Sequence, residues 1–190
     1  MDRREALKRV SWLVGGSVSA PLAAAVLNGC QTEPDTATDW NPQFLSAEQD
    51  ALVAEVAELI IPATDTPGAK DVLVNRLIDH LLATCYPEED QQRFVAGLAQ
   101  LNTDAEEEYD KSFIKLTPEQ QTEILAQTEA RSQQEKGASF FPMMKELTLL
   151  GYFTSEPGAT QALKYQLVYG RYDGCVPLEE ATGGKAWATA

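Results

Sequence analysis

The residue types that most often carry out chemistry are few in this chain and lie far apart. It contains one histidine, His80, and three cysteines, Cys30, Cys85 and Cys175, with no C-x-x-C pair. A zinc site needs three or four Cys, His or carboxylate ligands at close spacing. The sequence also has no G-x-G-x-x-G or G-x-S-x-G motif, no P-loop and no C-x-x-C-H haem attachment. We therefore expect no catalytic residue, no metal site and no cofactor in this chain.

Three other polar features favour a structural interpretation over a chemical one. His80 has no Cys or Ser partner nearby in sequence, which indicates a solvated or hydrogen-bonded helix histidine. The acids between Asp104 and Asp110 run almost consecutively, so they spread around a helix instead of converging on a cation. The loop Thr64–Gly68 offers one carboxylate and two hydroxyls, and its Pro-Gly pair is typical of a tight turn.

Length and charge narrow the class of protein further. The chain has 190 residues, 15 Lys and Arg against 29 Asp and Glu, and a formal net charge of -14. One domain of this size buries roughly 70% of its unfolded surface, so it needs no metal or disulfide lattice to fold. Because a strongly negative chain repels a phosphate backbone, nucleic acid is excluded as a partner.

Apolar spacing after Ser46 is helical throughout, with no period-two run that would indicate a strand. Ser46 and Gln49 have the form of a capping box, and Thr117-Pro118-Glu119-Gln120 combines a cap with a proline at the first helical position. The sequence predicts an all-α fold over residues 44–190, an orthogonal helical bundle with an irregular C-terminal tail. The predicted helices are Ala47–Ile61, Asp71–Cys85, one opened by Pro87 and buried through Leu101, Thr117–Glu135, one from Phe140 to Gly151, and one from Glu156 through Leu167.

The N-terminus has the pattern of an export signal. Arg3 and Arg4, followed by an apolar residue pair and Lys8, resemble a twin-arginine signal, which sends folded proteins across the bacterial membrane. The apolar run Val10–Leu27 is interrupted by Gly, Ser and Pro, which favours a signal peptide over residues 1–29 rather than a transmembrane anchor.

Cys30 follows Leu27-Asn28-Gly29, which resembles a lipobox, so we expect it to be lipidated and to become the N-terminus. The alternative is simple cleavage nearby. Residues 30–43, rich in Thr, Asp and Pro, would then form a flexible tether. The predicted location is the periplasm, with the domain anchored to a membrane through the lipid.

Cys85 and Cys175 remain once Cys30 is assigned, and two interpretations stay open for them. A pair of cysteines in an exported protein suggests a disulfide, and the alternative is two unpaired buried thiols. Aromatic residues concentrate in the last forty residues and suggest either core packing or a partner interface. The candidate interface residues are Tyr152, Phe153, Tyr165, Tyr169, Arg171 and Tyr172.

Several of these segments together resemble the gluconate 2-dehydrogenase subunit 3 family. They are TDTPGA at Thr64–Ala69, Phe140-Phe141 with Lys145, Leu147 and Thr148, GYFTSE at Gly151–Glu156 with Gly158, and Tyr172 with Gly174-Cys175 before Pro177. TDTPGA and GYFTSE together are fairly specific. The resemblance covers about Phe44 to Leu178, essentially the whole mature domain.

The resemblance implies a non-catalytic small subunit. Its partner would be a large FAD-containing dehydrogenase subunit of the glucose-methanol-choline type that oxidises a sugar or sugar acid, and a c-type cytochrome often takes the electrons. The small subunit's signal would export the flavin-loaded partner. The lipid anchor predicted at Cys30 departs from the family pattern and would hold the partner at the membrane without a cytochrome. The alternative function is a free-standing periplasmic lipoprotein that binds a small ligand in a helical cleft.

Overall fold

The structure is a computed structural model that describes residues 40–134, 139–168, 170 and 175–188. Contacts divide the chain into the units Met1–Trp40 and Asn41–Ala190. The first unit lies outside the described residues except for its last residue, and the fold below is that of the second.

Helices account for all the regular structure of the described residues. The prediction of an all-α bundle is confirmed, and an isolated parallel bridge between Lys164 and Trp187 is the β-type pairing found in this part of the chain. No described helix has the length and apolar character needed to cross a membrane. The elements are α1 (Ala47–Ile60), α2 (Val74–Thr84), α3 (Glu88–Tyr109), a 3-10 helix (Phe113–Lys115), α4 (Pro118–Gln134), α5 (Phe140–Thr154), a π-helix (Gly158–Ala162) and α6 (Leu178–Thr182).

Local sequence signals explain where α1 and α4 begin. The Ser46 hydroxyl accepts from the Gln49 backbone N–H at 3.2 Å, and the Gln49 side chain accepts from the Ser46 backbone N–H at 2.9 Å. This reciprocal pair is the predicted capping box, which satisfies two N–H groups that the helix cannot. Thr117 and Gln120 make the same reciprocal pair before α4, at 3.4 and 3.1 Å.

Two predicted helix boundaries are wrong. The second helix begins at Val74 rather than Asp71, because a turn ends at Leu73 in the left-handed region with φ 57°. The helix predicted from Glu156 through Leu167 is only the short π-helix, after which Leu163 is extended. Leu167 is 79% exposed and does not pack in the core. Its spacing from the other apolar residues predicted a helix that does not form.

The central element is α5, which packs against α1, α2, α3, α4 and the π-helix. Its buried face begins where Phe140 meets Phe94 of α3 edge to face, with ring centroids 5.2 Å apart. The α4 helix buries few residues and lies at the periphery, as its sparse apolar positions indicated. The buried residues of α5 are Phe140, Phe141, Met144, Leu147, Thr148, Gly151 and Tyr152.

Candidate functional site

Two carboxylates hold the backbone of the TDTPGA loop, Thr64–Ala69, and of its flanking residues, and the Gly68 N–H donates to Asp71 at 3.0 Å. The two oxygens of Glu58 accept from the backbone N–H groups of Ala63 and Lys70, both at 2.9 Å. The Ala69 N–H donates to the carbonyl of Ile61 at 3.0 Å, which closes the loop back onto the end of α1. Because these bonds satisfy backbone groups within the loop and on both sides of it, they support the interpretation of a structural turn.

Tyr152 joins this loop to the central helix. It is 2% exposed, its hydroxyl donates to the Pro67 carbonyl at 2.8 Å, and its oxygen lies 3.3 Å from the Thr66 hydroxyl, within hydrogen-bond distance. A buried hydroxyl needs such a partner to avoid the cost of desolvation. The structure therefore brings together TDTPGA and GYFTSE, which lie more than eighty residues apart in sequence.

Two glycines allow the backbone to approach closely at this joint. A Cβ on Gly158 would lie 1.9 Å from the Tyr152 carbonyl oxygen, and a Cβ on Gly68 would lie 2.4 Å from a Glu58 carboxylate oxygen. Ser155 completes the turn, since its hydroxyl donates to the Tyr152 carbonyl at 2.6 Å and accepts from the Gly158 N–H at 3.1 Å. The polar residues of both segments thus hold the fold together.

These two segments lie within residues 47–170, which match the family model described as gluconate 2-dehydrogenase subunit 3. The chain belongs to the gluconate 2-dehydrogenase subunit 3 family. Membership makes it a subunit of a dehydrogenase complex, with a larger dehydrogenase as partner. No curated protein and no solved structure matches the chain.

Asp79 is a structural residue that the sequence did not reveal. The residue is fully buried on α2, and its carboxylate accepts from the backbone N–H groups of Gln43, Phe44 and Leu45 at 2.7, 3.0 and 2.8 Å. Three such donors satisfy a buried carboxylate without a cation. Asp79 therefore fixes the segment that enters α1. The helical sequence around it gave no signal, because the partners lie 34 to 36 residues away.

The predicted interface residues separate into three groups. Tyr152 is buried and serves the fold, so its assignment to a partner interface is wrong. Phe153 and Tyr165 are 38% and 46% exposed and remain candidates. Tyr169, Arg171 and Tyr172 lie outside the described residues.

Four exposed aliphatic residues accompany these aromatics and were missed as candidates. Leu149 and Leu150 are 39% and 47% exposed on α5, and Leu167 and Val168 are 79% and 74% exposed after the π-helix. Their sequence positions suggested core packing in helices, since exposure depends on what covers each helix and not on residue type. They extend the candidate surface well beyond the aromatic residues.

Cys85 and Cys175 are both exposed. The alternative of two buried thiols is therefore wrong about burial, and the disulfide between them stays a prediction. Arg3, Arg4 and Cys30 lie outside the described residues, so the twin-arginine signal and the lipid anchor also stay predictions.

The described residues contain no group of three or more His, Cys, Asp or Glu side chains that could hold a metal. His80 is exposed on α2. Of the acidic run, Asp104 pairs with Arg131, and Glu108 accepts from Gln127 at 3.1 Å. These acids therefore bind separate partners on α4 and do not converge.

An open cleft of about 580 Å³ lies between α3, α4 and α5. Two arginines line it, and both are paired with acids, Arg93 with Glu89 and Asp90 and Arg131 with Asp104. Burial raises the pKa of the Asp104 carboxyl, but the hydrogen bonds from Arg131 and Gln100 outweigh burial and hold that pKa below its ordinary value. Among the described lining residues, the paired charges leave the cleft polar with no excess positive charge.

Proposed function

We propose that this chain is a non-catalytic small subunit that binds, exports and membrane-tethers an FAD-dependent dehydrogenase. The partner would be of the glucose-methanol-choline type and would oxidise a sugar or a sugar acid. The observation that carries the proposal is the family match over residues 47–170.

The chemistry of the domain supports an accessory role. The side chains of Tyr152 and Ser155 make hydrogen bonds within the fold, which leaves them poorly placed to act on a substrate. A nucleophile needs an adjacent base, and the single histidine is exposed on a helix and has no such neighbour in sequence. The electron transfer would thus belong to the partner, with FAD bound there.

The N-terminal sequence supports export and tethering. Arg3 and Arg4 have the twin-arginine pattern, which suits a partner that folds around its flavin before transport. Lipid on Cys30 would then hold the exported complex at the membrane, because two or more acyl chains bind a bilayer far more firmly than one. The complex would lie in the periplasm.

The test is purification of the tagged full chain from native membranes, followed by an absorption spectrum of the bound material. We expect a flavin spectrum in near-stoichiometric amount and sugar or sugar-acid oxidation. In Arg3→Lys with Arg4→Lys, both the chain and the flavoprotein should stay in the cytoplasm. Arg9→Lys, which keeps the same charge at another basic position of the signal, is the matched control and should export normally.

The tether is tested separately with Cys30→Ala. This variant should lose incorporation of a palmitate analogue and release an intact, flavin-bound complex from the membrane. Equal labelling of the wild type and Cys30→Ala would show that the lipid is not on Cys30.

The 580 Å³ cleft favours a second candidate function, that of a free-standing lipoprotein that binds a small ligand. Its wall includes Ser139, whose buried hydroxyl has no hydrogen-bond partner among the described residues. A monomeric chain without flavoprotein in the membrane preparation would favour this function over the subunit.

A further inference from the structure

Two exposed apolar runs lie at the C-terminal end of α5. Leu149, Leu150 and Phe153 are neighbours on the helix surface, because residues three and four apart share a face. The second run is the exposed segment Lys164–Val168, which contains Tyr165, Leu167 and Val168. The π-helix and its flanking residues connect the two runs. Its Gly158 packs against the Tyr152 carbonyl in the last turn of α5, and the Leu163 N–H, just before the second run, donates to the Gly158 carbonyl at 3.0 Å. We call the two runs together the α5-end surface.

The segment that carries the second run has a charge opposite to that of the chain as a whole. Between Pro157 and Tyr172 there are two basic residues, Lys164 and Arg171, and no Asp or Glu, although acids outnumber bases 29 to 15 overall. The segment is thus a basic, apolar stretch on an acidic domain, and Glu156 and Asp173 border it. Complementary potential calls for a partner face with carboxylates around an apolar centre.

We propose that the dehydrogenase subunit docks on the α5-end surface, with an apolar face whose carboxylates pair with Lys164. This inference rests on the proposed function, which supplies the partner. The centre of such an interface is apolar and its rim is polar, which matches exposed Leu167 and Val168 beside a lysine. Burying side chains that are three-quarters exposed gives a larger hydrophobic gain than burying residues already half covered.

A second copy of this chain fits the surface less well. A symmetric dimer brings the same patch of both copies together, so each Lys164 would lie in an interface with the other. Like charges placed together in this way oppose association. A heterologous partner with acidic groups avoids that repulsion.

The experiment is copurification from native membranes of the tagged full chain, with flavin absorbance measured per chain. In Leu167→Asp with Val168→Asp, two carboxylates enter the apolar centre, and we expect at least a tenfold loss of flavin per chain. Ile114→Asp is the matched control, since Ile114 is 46% exposed on the 3-10 helix outside the α5-end surface. That control should keep the wild-type flavin content.

Charge is tested with two substitutions at one position. Lys164→Glu should lower the flavin content several-fold, and Lys164→Arg should retain it, because only the first variant reverses the sign of the charge. All variants should keep the wild-type urea midpoint as purified full chains, since the altered side chains are exposed.

The outcomes separate this proposal from the function on which it rests. Flavin in the wild type but full retention in the Leu167, Val168 double variant would overturn the α5-end surface and leave the subunit function intact. Absence of flavin in the wild type would overturn both. A wild-type dimer that the double variant abolishes, without any change in flavin content, would show that the surface binds a second copy and would likewise overturn the proposal.

Discussion

Both sides of the C-terminal half of α5 carry large apolar residues, in opposite environments. On one side Leu147 is 1% exposed and Tyr152 is 2% exposed within the core. On the other side Leu149, Leu150 and Phe153 are 38% to 47% exposed. Apolar residues on both sides of a helix segment are typical of a segment that is covered on both sides. The other described helices cover one side of α5, so the contrast shows which half of the helix packs in the core and which half is exposed among the described residues.

The same contrast separates the segments that identify the family from those available to a partner. TDTPGA and the Gly151-Tyr152 pair meet in the interior through the hydrogen bond from Tyr152 to Pro67. The α5-end surface, by comparison, consists of exposed apolar residues with few polar contacts. The segments that identify the family thus contact each other inside the fold, and the proposed partner would bind the exposed residues next to them.

The strongest test of the contrast compares two leucines of α5. Leu147→Ala should lower the free energy of unfolding by about 2–5 kcal/mol, because it removes a buried side chain and leaves a cavity. Leu149→Ala, at an exposed position of the same helix, should change it by less than about 0.5 kcal/mol. Urea unfolding of the isolated domain measures both values. Equal losses would mean that the two sides of α5 are not distinct.

A smaller effect is expected at the joint itself. Tyr152→Phe removes the hydroxyl that donates to Pro67 and leaves a buried carbonyl without that donor, so it should cost about 1 kcal/mol. Tyr165→Phe is the control, since Tyr165 is 46% exposed and should show no measurable change. Thermal unfolding of both variants checks the difference. An unchanged midpoint in Tyr152→Phe would show that the hydrogen bond from Tyr152 to Pro67 does not contribute to stability.

The smallest expected effect on stability comes from the ion pair between Asp104 of α3 and Arg131 of α4, which does not involve α5. The pKa of Asp104 is lowered in the folded state, so its pairing with Arg131 stabilises the domain above the carboxyl's ordinary pKa of 3.8. That contribution is lost as the pH falls through the lowered folded pKa. Because the Arg131 side chain is half exposed, we expect only about 0.2–1 kcal/mol.

The measurement is the stability difference between the wild type and Asp104→Asn, followed by urea unfolding from pH 7 downward. The difference should be present at pH 7 and should shrink as the pH falls below the ordinary pKa of the carboxyl. A difference that grows with acid would contradict the pairing with Arg131.

The sequence predicted most of the helices and few of their environments. Capping signals at Ser46 and Thr117 are local, so they located the starts of α1 and α4. Leu147, Leu149 and Leu150 are the same residue type within four positions, and only the packing of α1 to α4 decides which of them is buried.

The candidate site was predictable in part. Phe153 and Tyr165 were recognised as aromatic candidates and are exposed, whereas Tyr152 was placed with them although it is buried. The contact of Tyr152 with Pro67 spans 85 residues, and periodicity within one helix carries no information about such a partner. The hydrogen bonds of Asp79 were unpredictable for the same reason.

The three hydrogen bonds to Asp79 also have a mechanical consequence. If Cys30 carries a lipid, any pull between membrane and cargo enters the domain through Gln43, Phe44 and Leu45. The carboxylate would pass that force directly to α2, which packs against both α1 and α5. The three hydrogen bonds would then share the force, and it would not act on the first turn of α1 alone.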